Sequence, residues 1–136
     1  FKLKHGIKVE RHYDTTLPKI LVFGSELNQV WTNLIDNAID ALGEGTPSGA
    51  PPQIAIRSCQ RGNYLRVEVE DNGPGIPSEL KNRILEPFFT TKPMGKGSGL
   101  GLDVVRRIVE NRHGGSLALE SEPGRTCFTV LLPLSF

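Results

Sequence analysis

Two glycine clusters, at residues 71–75 and 95–101, are the part of this sequence best suited to binding a phosphate. The first reads Asp-Asn-Gly-Pro-Gly and the second Gly-Lys-Gly-Ser-Gly-Leu-Gly. Glycine tolerates positive φ and lets a ligand approach the backbone closely. The second cluster leads into a predicted helix, whose N-terminus presents free N–H groups and the positive end of the helix dipole. The stretch therefore predicts a loop that folds over a phosphate-bearing ligand; a flexible surface loop is the alternative.

A helix predicted from Ser25 to Leu42 carries oxygen-rich side chains on one face. At about 100° per residue, five of them fall within a sector of about 100°; they are Gln29, Asn33, Asp36, Asn37 and Asp40. Amide and carboxylate oxygens suit Mg²⁺, which typically takes one or two protein oxygens together with water and nucleotide phosphate. The face therefore indicates a magnesium site, with a plain solvent-exposed face as the alternative.

Asp71 follows a predicted strand over residues 64–70. Its ionised carboxylate only accepts hydrogen bonds, so it suits the exocyclic amine of adenine better than the O6 edge of guanine. The P-loop pattern GxxxxGK[ST] is missing from the sequence, which excludes that class of nucleotide site. Together these features predict an adenine nucleotide site of another kind.

Composition indicates one globular domain. The chain has 136 residues, 38% hydrophobic and 23% charged, with a formal net charge of +1, which argues against a broad nucleic-acid surface. Cys59 and Cys127 lie far apart in strand-like runs, which predicts buried free thiols in a reducing compartment; a disulfide between neighbouring strands is the alternative. We expect a cytoplasmic domain that does not contact the membrane. Since the chain does not begin with Met, we also expect it to be a piece of a longer protein, and whether that protein is anchored in a membrane stays open.

Apolar periodicity predicts alternating strands and helices. The predicted strands cover residues 7–13, 19–23, 53–60, 64–70, 116–121 and 126–132, and the predicted helices cover residues 25–42, 78–85 and 100–112. His113 closes the last helix, where it suits the negative end of the helix dipole. This order predicts an α/β two-layer sandwich, with about three helices on one face of a mixed, mainly antiparallel sheet.

Five segments in this order resemble the motifs of sensor histidine kinase catalytic domains, within the ATPase superfamily of gyrase B, Hsp90 and MutL. They are NLIDNAIDAL (33–42), DNGPGIP (71–77), EPFFTTKP (86–93), GKGSGLGL (95–102) and PGRTCFTVLLP (123–133). The third and fourth are most similar to those of nitrogen-regulation and dicarboxylate-sensor kinases. The resemblance covers about residues 7–133 and implies a Bergerat-type fold with a flexible ATP lid.

The resemblance implies an adenine pocket at one end of the site. Asp71 would bind the adenine amine, Gly73 and Gly75 would shape the pocket, and Ile76 would pack on the base. Thr126 would support Asp71 through water. The last motif has one glycine before this threonine where many relatives have two, which leaves the local turn open.

At the other end, the resemblance implies ATP phosphates held through Mg²⁺. Asn37 would coordinate the metal, and Asn33 would line the same site one turn earlier. The lid residues that this implies are Phe88, Lys92, Lys96, Gly97, Gly99, Leu100, Gly101 and Leu102. Lys92 and Lys96 are phosphate contacts on charge grounds, with simple solvation as the alternative.

The implied function is transfer of the γ-phosphoryl group of ATP to a histidine on a separate dimerisation and phosphoacceptor domain, upstream of a response regulator. Residues 1–136 would be the catalytic domain alone, because His5, His12 and His113 lack an acceptor motif. Hydrolysing relatives carry Glu where this chain has Asn33, and an amide cannot act as a base at neutral pH. An ATP-driven switch of the gyrase, Hsp90 or MutL type, a serine kinase of an anti-sigma-factor kind, and a non-catalytic nucleotide-binding module are the alternatives.

Overall fold

A computed structural model describes residues 8–13, 24–43, 45–47, 49–81 and 101–133. Within them the elements follow the chain as β1 (Lys8–Tyr13), α1 (Gly24–Leu42), β2 (Gln53–Arg61), β3 (Tyr64–Asp71), α2 (Ser78–Lys81), α3 (Gly101–Arg107), a π-helical segment (Ile108–Arg112), β4 (Ser116–Glu122) and β5 (Arg125–Pro133). The predicted strand over residues 19–23 lies outside the described residues.

The strands form one sheet in the order β1-β2-β3-β5-β4. β1 runs parallel to β2, and the other neighbouring pairs are antiparallel. Gly62 and Asn63 make the turn between β2 and β3, with Gly62 at φ 59°, as two-residue hairpins require. The predicted mixed, mainly antiparallel sheet is confirmed.

The core lies between the helices and one face of this sheet. The apolar residues that recur at three- and four-residue steps along α1, from Leu27 to Leu42, are buried except for Trp31, which packs half-buried against the core. In the last helix Val104, Val105, Ile108 and Val109 are likewise buried. They join alternate residues of β2, β3 and β5 in one cluster, as expected for a two-layer sandwich.

The opposite face of the sheet carries ion pairs between neighbouring strands. Arg57 on β2 lies 2.8 Å from Glu70 and 3.2 Å from Glu68, and Arg125 on β5 lies 3.1 Å from Glu70. Alternation along a strand sends odd and even residues to opposite faces. Asp71 therefore faces the helices, whereas its neighbour Glu70 faces away from them.

Two local features differ from the expectations. The first helix begins at Gly24, one residue before the predicted start at Ser25. The last helix continues as a π-helix from Ile108, and the Nδ1 of His113 donates to the carbonyl oxygen of Ile108 at 3.1 Å. The predicted helix over residues 78–85 is described as far as Lys81, and its remainder lies outside the described residues.

The two cysteines do not form a disulfide in this fold. Cys59 on β2 pairs with Arg66, whereas Cys127 on β5 pairs with Glu70, and β3 lies between the two strands. The Cα atoms of Cys59 and Cys127 are therefore two strand spacings apart across the sheet and four residues apart along the strands, which is a distance of about 17 Å. A disulfide requires the Cα atoms to lie within about 7 Å of each other. Both cysteines are free, as predicted, with Cys127 buried and Cys59 half-buried.

No helix within the described ranges is both long enough and apolar enough to cross a membrane.

Candidate functional site

Asp71 is a buried carboxyl at the end of β3, with 4% of its surface exposed. Its Oδ1 accepts a hydrogen bond of 2.9 Å from the backbone N–H of Gly73. Burial raises the pKa of Asp71 from 3.8 to about 6, because the ionised form loses its water; the Gly73 hydrogen bond opposes this rise and the charge of Glu70 adds to it. At pH 7 the group is mostly an ionised acceptor in a poorly solvated position, which suits a ligand that brings a donor.

The loop after Asp71 is wedged between α1 and the turn that joins β4 to β5. Gly73 is buried, and a Cβ atom there would lie 3.4 Å from the backbone carbonyl of Ala41. Gly75 has φ +86°, and a Cβ there would clash with the carbonyl oxygen of Glu122. Position 75 therefore requires glycine, both for the close approach and for the positive φ. At Gly73 the tightest neighbour of a Cβ would be the Oδ1 of Asp71, at 2.9 Å, so a side chain there would disturb that carboxylate.

The contact with Ala41 brings the loop to the amide-bearing face of α1. Asn33, Asn37 and Ala41 follow one another at four-residue steps, so they form one row along the helix. All three are half-buried. Asn37 is four residues before Ala41, which is about 6 Å along the helix axis. The other polar residues of the predicted sector are exposed, namely Gln29, Asp36 and Asp40.

The row of Asn33, Asn37 and Ala41 is therefore the edge of the polar face of α1 that lies next to the loop. Its amide oxygens are suitable ligands for a magnesium ion that is also bound by a nucleotide phosphate. Among the described residues, no three His, Cys, Asp or Glu side chains converge on a point where they could hold a metal. Asn37 offers one hard amide oxygen, one turn before the residue that the loop faces, Ala41. Mg²⁺ is commonly held by one or two protein oxygens, with water and phosphate completing its shell.

Thr126 lies directly opposite Asp71 in the antiparallel register of β3 and β5. It is 3% exposed, and its Oγ1 lies 3.0 Å from the Oγ of Ser121. Glu122 pairs with Arg125, so Pro123 and Gly124 form a two-residue turn, with Gly124 at φ +91°. The single glycine before the threonine is thus sufficient for the turn.

Ile76 is half-buried and packs against the core cluster beside this pair. Gly101 begins α3, and Leu102 packs half-buried against the same cluster, so a helix does follow the second glycine cluster. The remaining predicted lid residues lie outside the described part of the chain; they are Phe88, Lys92, Lys96, Gly97, Gly99 and Leu100. The structure therefore brings together Asp71, Gly73, Gly75, Ile76 and Thr126, with Asn33 and Asn37 on the adjoining helix face.

Three polar residues that hold this loop were missed by sequence reasoning. Asn72 accepts a 2.8 Å hydrogen bond from the N–H of Gln53 and donates one of 3.0 Å to the carbonyl of Pro51. Lys81 donates to the carbonyl of Ser121 at 2.6 Å. Of these, only Ser121 left a signal, since it continues the core-facing alternation of β4 after Leu117 and Leu119.

Comparison with known proteins connects this geometry to nucleotide chemistry. The family model described as histidine kinase-, DNA gyrase B- and HSP90-like ATPase matches residues 24–135. The chain is 38% identical to the sensory histidine kinase/phosphatase NtrB of Rhizobium meliloti (strain 1021), over 95% of this chain and 36% of that protein. It is 40% identical to the two-component sensor PprA of Pseudomonas aeruginosa, over 97% of this chain and 14% of that protein. The chain thus spans about a third or less of these relatives.

Solved structures show the same likeness. The catalytic domain of the histidine kinase ThkA superposes with a TM-score of 0.79 at 35% identity, over 95% of this chain and 81% of that one. ThkA in complex with the response regulator TrrA gives a TM-score of 0.74 at 32% identity, over 95% of this chain and 34% of that one. Full-length ShkA in complex with AMPPNP gives 0.79 at 28% identity, over 96% of this chain and 26% of that one.

Proposed function

Because the chain belongs to the histidine kinase-, DNA gyrase B- and HSP90-like ATPase family, we propose that it binds Mg-ATP and transfers the γ-phosphoryl group to a histidine. The histidine would lie on a separate dimerisation and phosphoacceptor domain, of the same chain or of a partner chain, and a response regulator would act downstream. One observation carries the proposal: the buried carboxylate of Asp71 ends β3, and the loop that follows it faces Ala41, which continues the row of Asn33 and Asn37 on α1.

The adenine end of the site would be built on Asp71. A carboxylate that is 4% exposed and mostly ionised at pH 7 gains most from a ligand that donates a hydrogen bond, and the exocyclic amine of adenine is such a donor. Gly73 and Gly75 would let the base approach the backbone, and Ile76 would pack on its face. Thr126, opposite Asp71, would hold the water that the pair shares.

The phosphate end would be held through Asn37. When bound, Mg²⁺ neutralises charge on the phosphates of ATP. The amide oxygen of Asn37 would fix where that charge lies relative to Asp71, and Asn33 would line the same row. The lid would complete the site, with Lys92 and Lys96 contacting phosphates, Phe88 at its hinge, and the glycines and leucines of residues 97–102 around the triphosphate.

Phosphotransfer is favoured over rapid hydrolysis by the residue one turn before Asn37. Asn33 is half-buried on the same row, where a base for water would have to lie. Its amide does not take a proton at neutral pH. The relatives support the same choice, because NtrB is a histidine kinase, ThkA was solved with a response regulator and ShkA was solved with an ATP analogue.

The test is nucleotide binding with and without Mg²⁺, measured by calorimetry with ATP and GTP. We expect Asp71→Ala to weaken ATP binding by about 10- to 100-fold, the value of a hydrogen bond to a charged group, and to abolish the preference for ATP over GTP. Asn37→Ala should remove the effect of Mg²⁺. Asn28→Ala is the matched control, since Asn28 is exposed on the same helix. Unchanged binding in both site variants would refute the assigned site.

The transfer step has its own readout in the same experiment. With γ-labelled ATP and a supplied phosphoacceptor domain, label should appear on that domain as acid-labile phosphohistidine and not on this chain. Stable label on this chain by itself would contradict the proposed division of roles.

A further inference from the structure

The hydroxyl group of Ser121 contacts two residues of the proposed adenine pocket, Ile76 and Thr126. It is half-buried on β4, beside the turn to β5. Its Oγ lies 2.8 Å from the backbone N of Ile76, 3.0 Å from Oγ1 of Thr126 and 3.3 Å from the carbonyl oxygen of Arg125. We propose that Ser121 is a positioning residue of the nucleotide site, which fixes Ile76 and orients the hydroxyl of Thr126. This role rests on the proposed function.

The direction of the hydrogen bonds follows from counting protons. The N–H of Ile76 can only donate, so it occupies an acceptor position on the Oγ of Ser121. Ser121 has a single hydroxyl proton, and the carbonyl of Arg125 can only accept it. The hydroxyl of Thr126 therefore donates to the Oγ of Ser121, which leaves the oxygen of Thr126 as an acceptor.

The oxygen of Thr126 lies on the side of Asp71. Residues directly opposite each other in an antiparallel pair point to the same face, with Cβ atoms about 5 Å apart, and Thr126 is opposite Asp71. The bond from Thr126 to Ser121 therefore leaves the Thr126 oxygen to accept from a donor near Asp71, such as a shared water or the amine of the base. The successive bonds from Thr126 to Ser121 and from Ser121 to the carbonyl of Arg125 strengthen one another in a buried setting.

The backbone around Ser121 holds the same loop at two further points. The carbonyl of Ser121 accepts from the Nζ of Lys81 at 2.6 Å, and the carbonyl of Glu122 faces Gly75, where no Cβ atom would fit. The segment from Gly75 to Lys81 is thus held at three places by residues 121 and 122. The position of Ile76, the expected wall against the base, therefore depends on the hairpin turn between β4 and β5.

Loss of the hydroxyl would have a selective effect on the base. Ser121→Ala leaves the Ile76 N–H without its acceptor and removes the group that orients Thr126. The phosphate end, built on Asn37 and the lid, has no contact with this hydroxyl among those described. Binding of the base should therefore weaken while binding of the phosphates does not.

The test compares Ser121→Ala, Ser121→Cys and Ser121→Thr with wild type in the whole chain, using ATP, GTP and tripolyphosphate, each with Mg²⁺. We expect Ser121→Ala to bind ATP about tenfold more weakly, equivalent to one lost hydrogen bond, and to lose a similar factor in the preference for ATP over GTP. Tripolyphosphate binding should not change. Ser121→Thr keeps the hydroxyl and should restore the preference, and the nearly isosteric Ser121→Cys should fall between them.

The control and the readout separate positioning from a general loss of stability. Ser116→Ala makes the same change at an exposed site on the same strand and should match wild type. An unchanged ATP-to-GTP preference in Ser121→Ala, or in Ser121→Cys if the alanine variant does not fold, would overturn the role of Ser121. Failure of the wild-type chain to bind ATP would instead overturn the proposed function itself.

Discussion

Burial of Asp71 makes a prediction about stability that needs no nucleotide. Folding raises the pKa of this carboxyl from 3.8 to about 6. Since each pKa unit is equivalent to 1.36 kcal/mol, the folded state favours the protonated over the ionised carboxyl by about 3 kcal/mol more than the unfolded state does. The ionised form at neutral pH thus costs the folded chain about this much. Asp71→Asn should recover most of it, because the amide oxygen can still accept the hydrogen bond from Gly73.

The sign of the pH dependence follows from proton linkage. Between about pH 4 and pH 6 the folded state binds more protons at this site than the unfolded state, so stability falls as the pH rises. The contribution of Asp71 is fully present below about pH 4 and is lost as the pH rises through 6. The variant has no ionisation here. The free energy of unfolding of Asp71→Asn, minus that of wild type, should therefore increase by about 2.5 kcal/mol from pH 4 to pH 7.5.

Urea unfolding at a series of pH values measures this difference. Trp31 is the only tryptophan and packs half-buried against the core, so its fluorescence reports on folding. Asp36→Asn removes an exposed carboxylate from α1 and controls for the loss of one negative charge. A difference that stays flat from pH 4 to pH 7.5, or that decreases, would refute the reasoning. The stabilised variant should also bind ATP more weakly, which would show that the site retains Asp71 at a cost in stability.

Two further predictions concern packing and thiol chemistry. Gly75→Ala should lower the free energy of unfolding by at least about 2 kcal/mol more than Gly124→Ala does, which is the usual cost of a forced backbone shift. Both glycines have positive φ, but of the two only Gly75 faces a backbone oxygen, that of Glu122. Equal losses of stability in thermal or urea unfolding would contradict this reasoning. A thiol reagent should modify Cys59 before Cys127, because Cys127 is 1% exposed and burial raises its pKa. Rapid labelling of native Cys59→Ser would show that Cys127 is more accessible than the structure indicates.

The sequence by itself predicted most of the secondary structure in the described residues, and it placed candidate residues of the site on those elements. The apolar repeat of α1, the Gly62-Asn63 turn and the alternation of β4 and β5 are local patterns, and each agrees with the described elements. Local patterns predict these elements well because they report which face of a helix or strand is buried. Asp71 could be placed at a strand end for the same reason.

The departures are also local. The π-helical segment from Ile108 to Arg112 has no marker in the apolar repeat, since Ile108 and Val109 would be buried in either kind of helix. The start of α1 at Gly24 was missed by one residue, which is within the usual spread of helix boundaries.

Only the tertiary structure decided how the site is held. It places β5 between β3 and β4, and this order sets Thr126 opposite Asp71. It brings Gly73 onto Ala41 and Gly75 onto Glu122, contacts between segments far apart in the chain. Periodicity carries no information about which distant groups meet. The burial that raises the pKa of Asp71, and the hydrogen bonds of the Ser121 hydroxyl with Ile76 and Thr126, both arise from such contacts, so the structure was needed to find them.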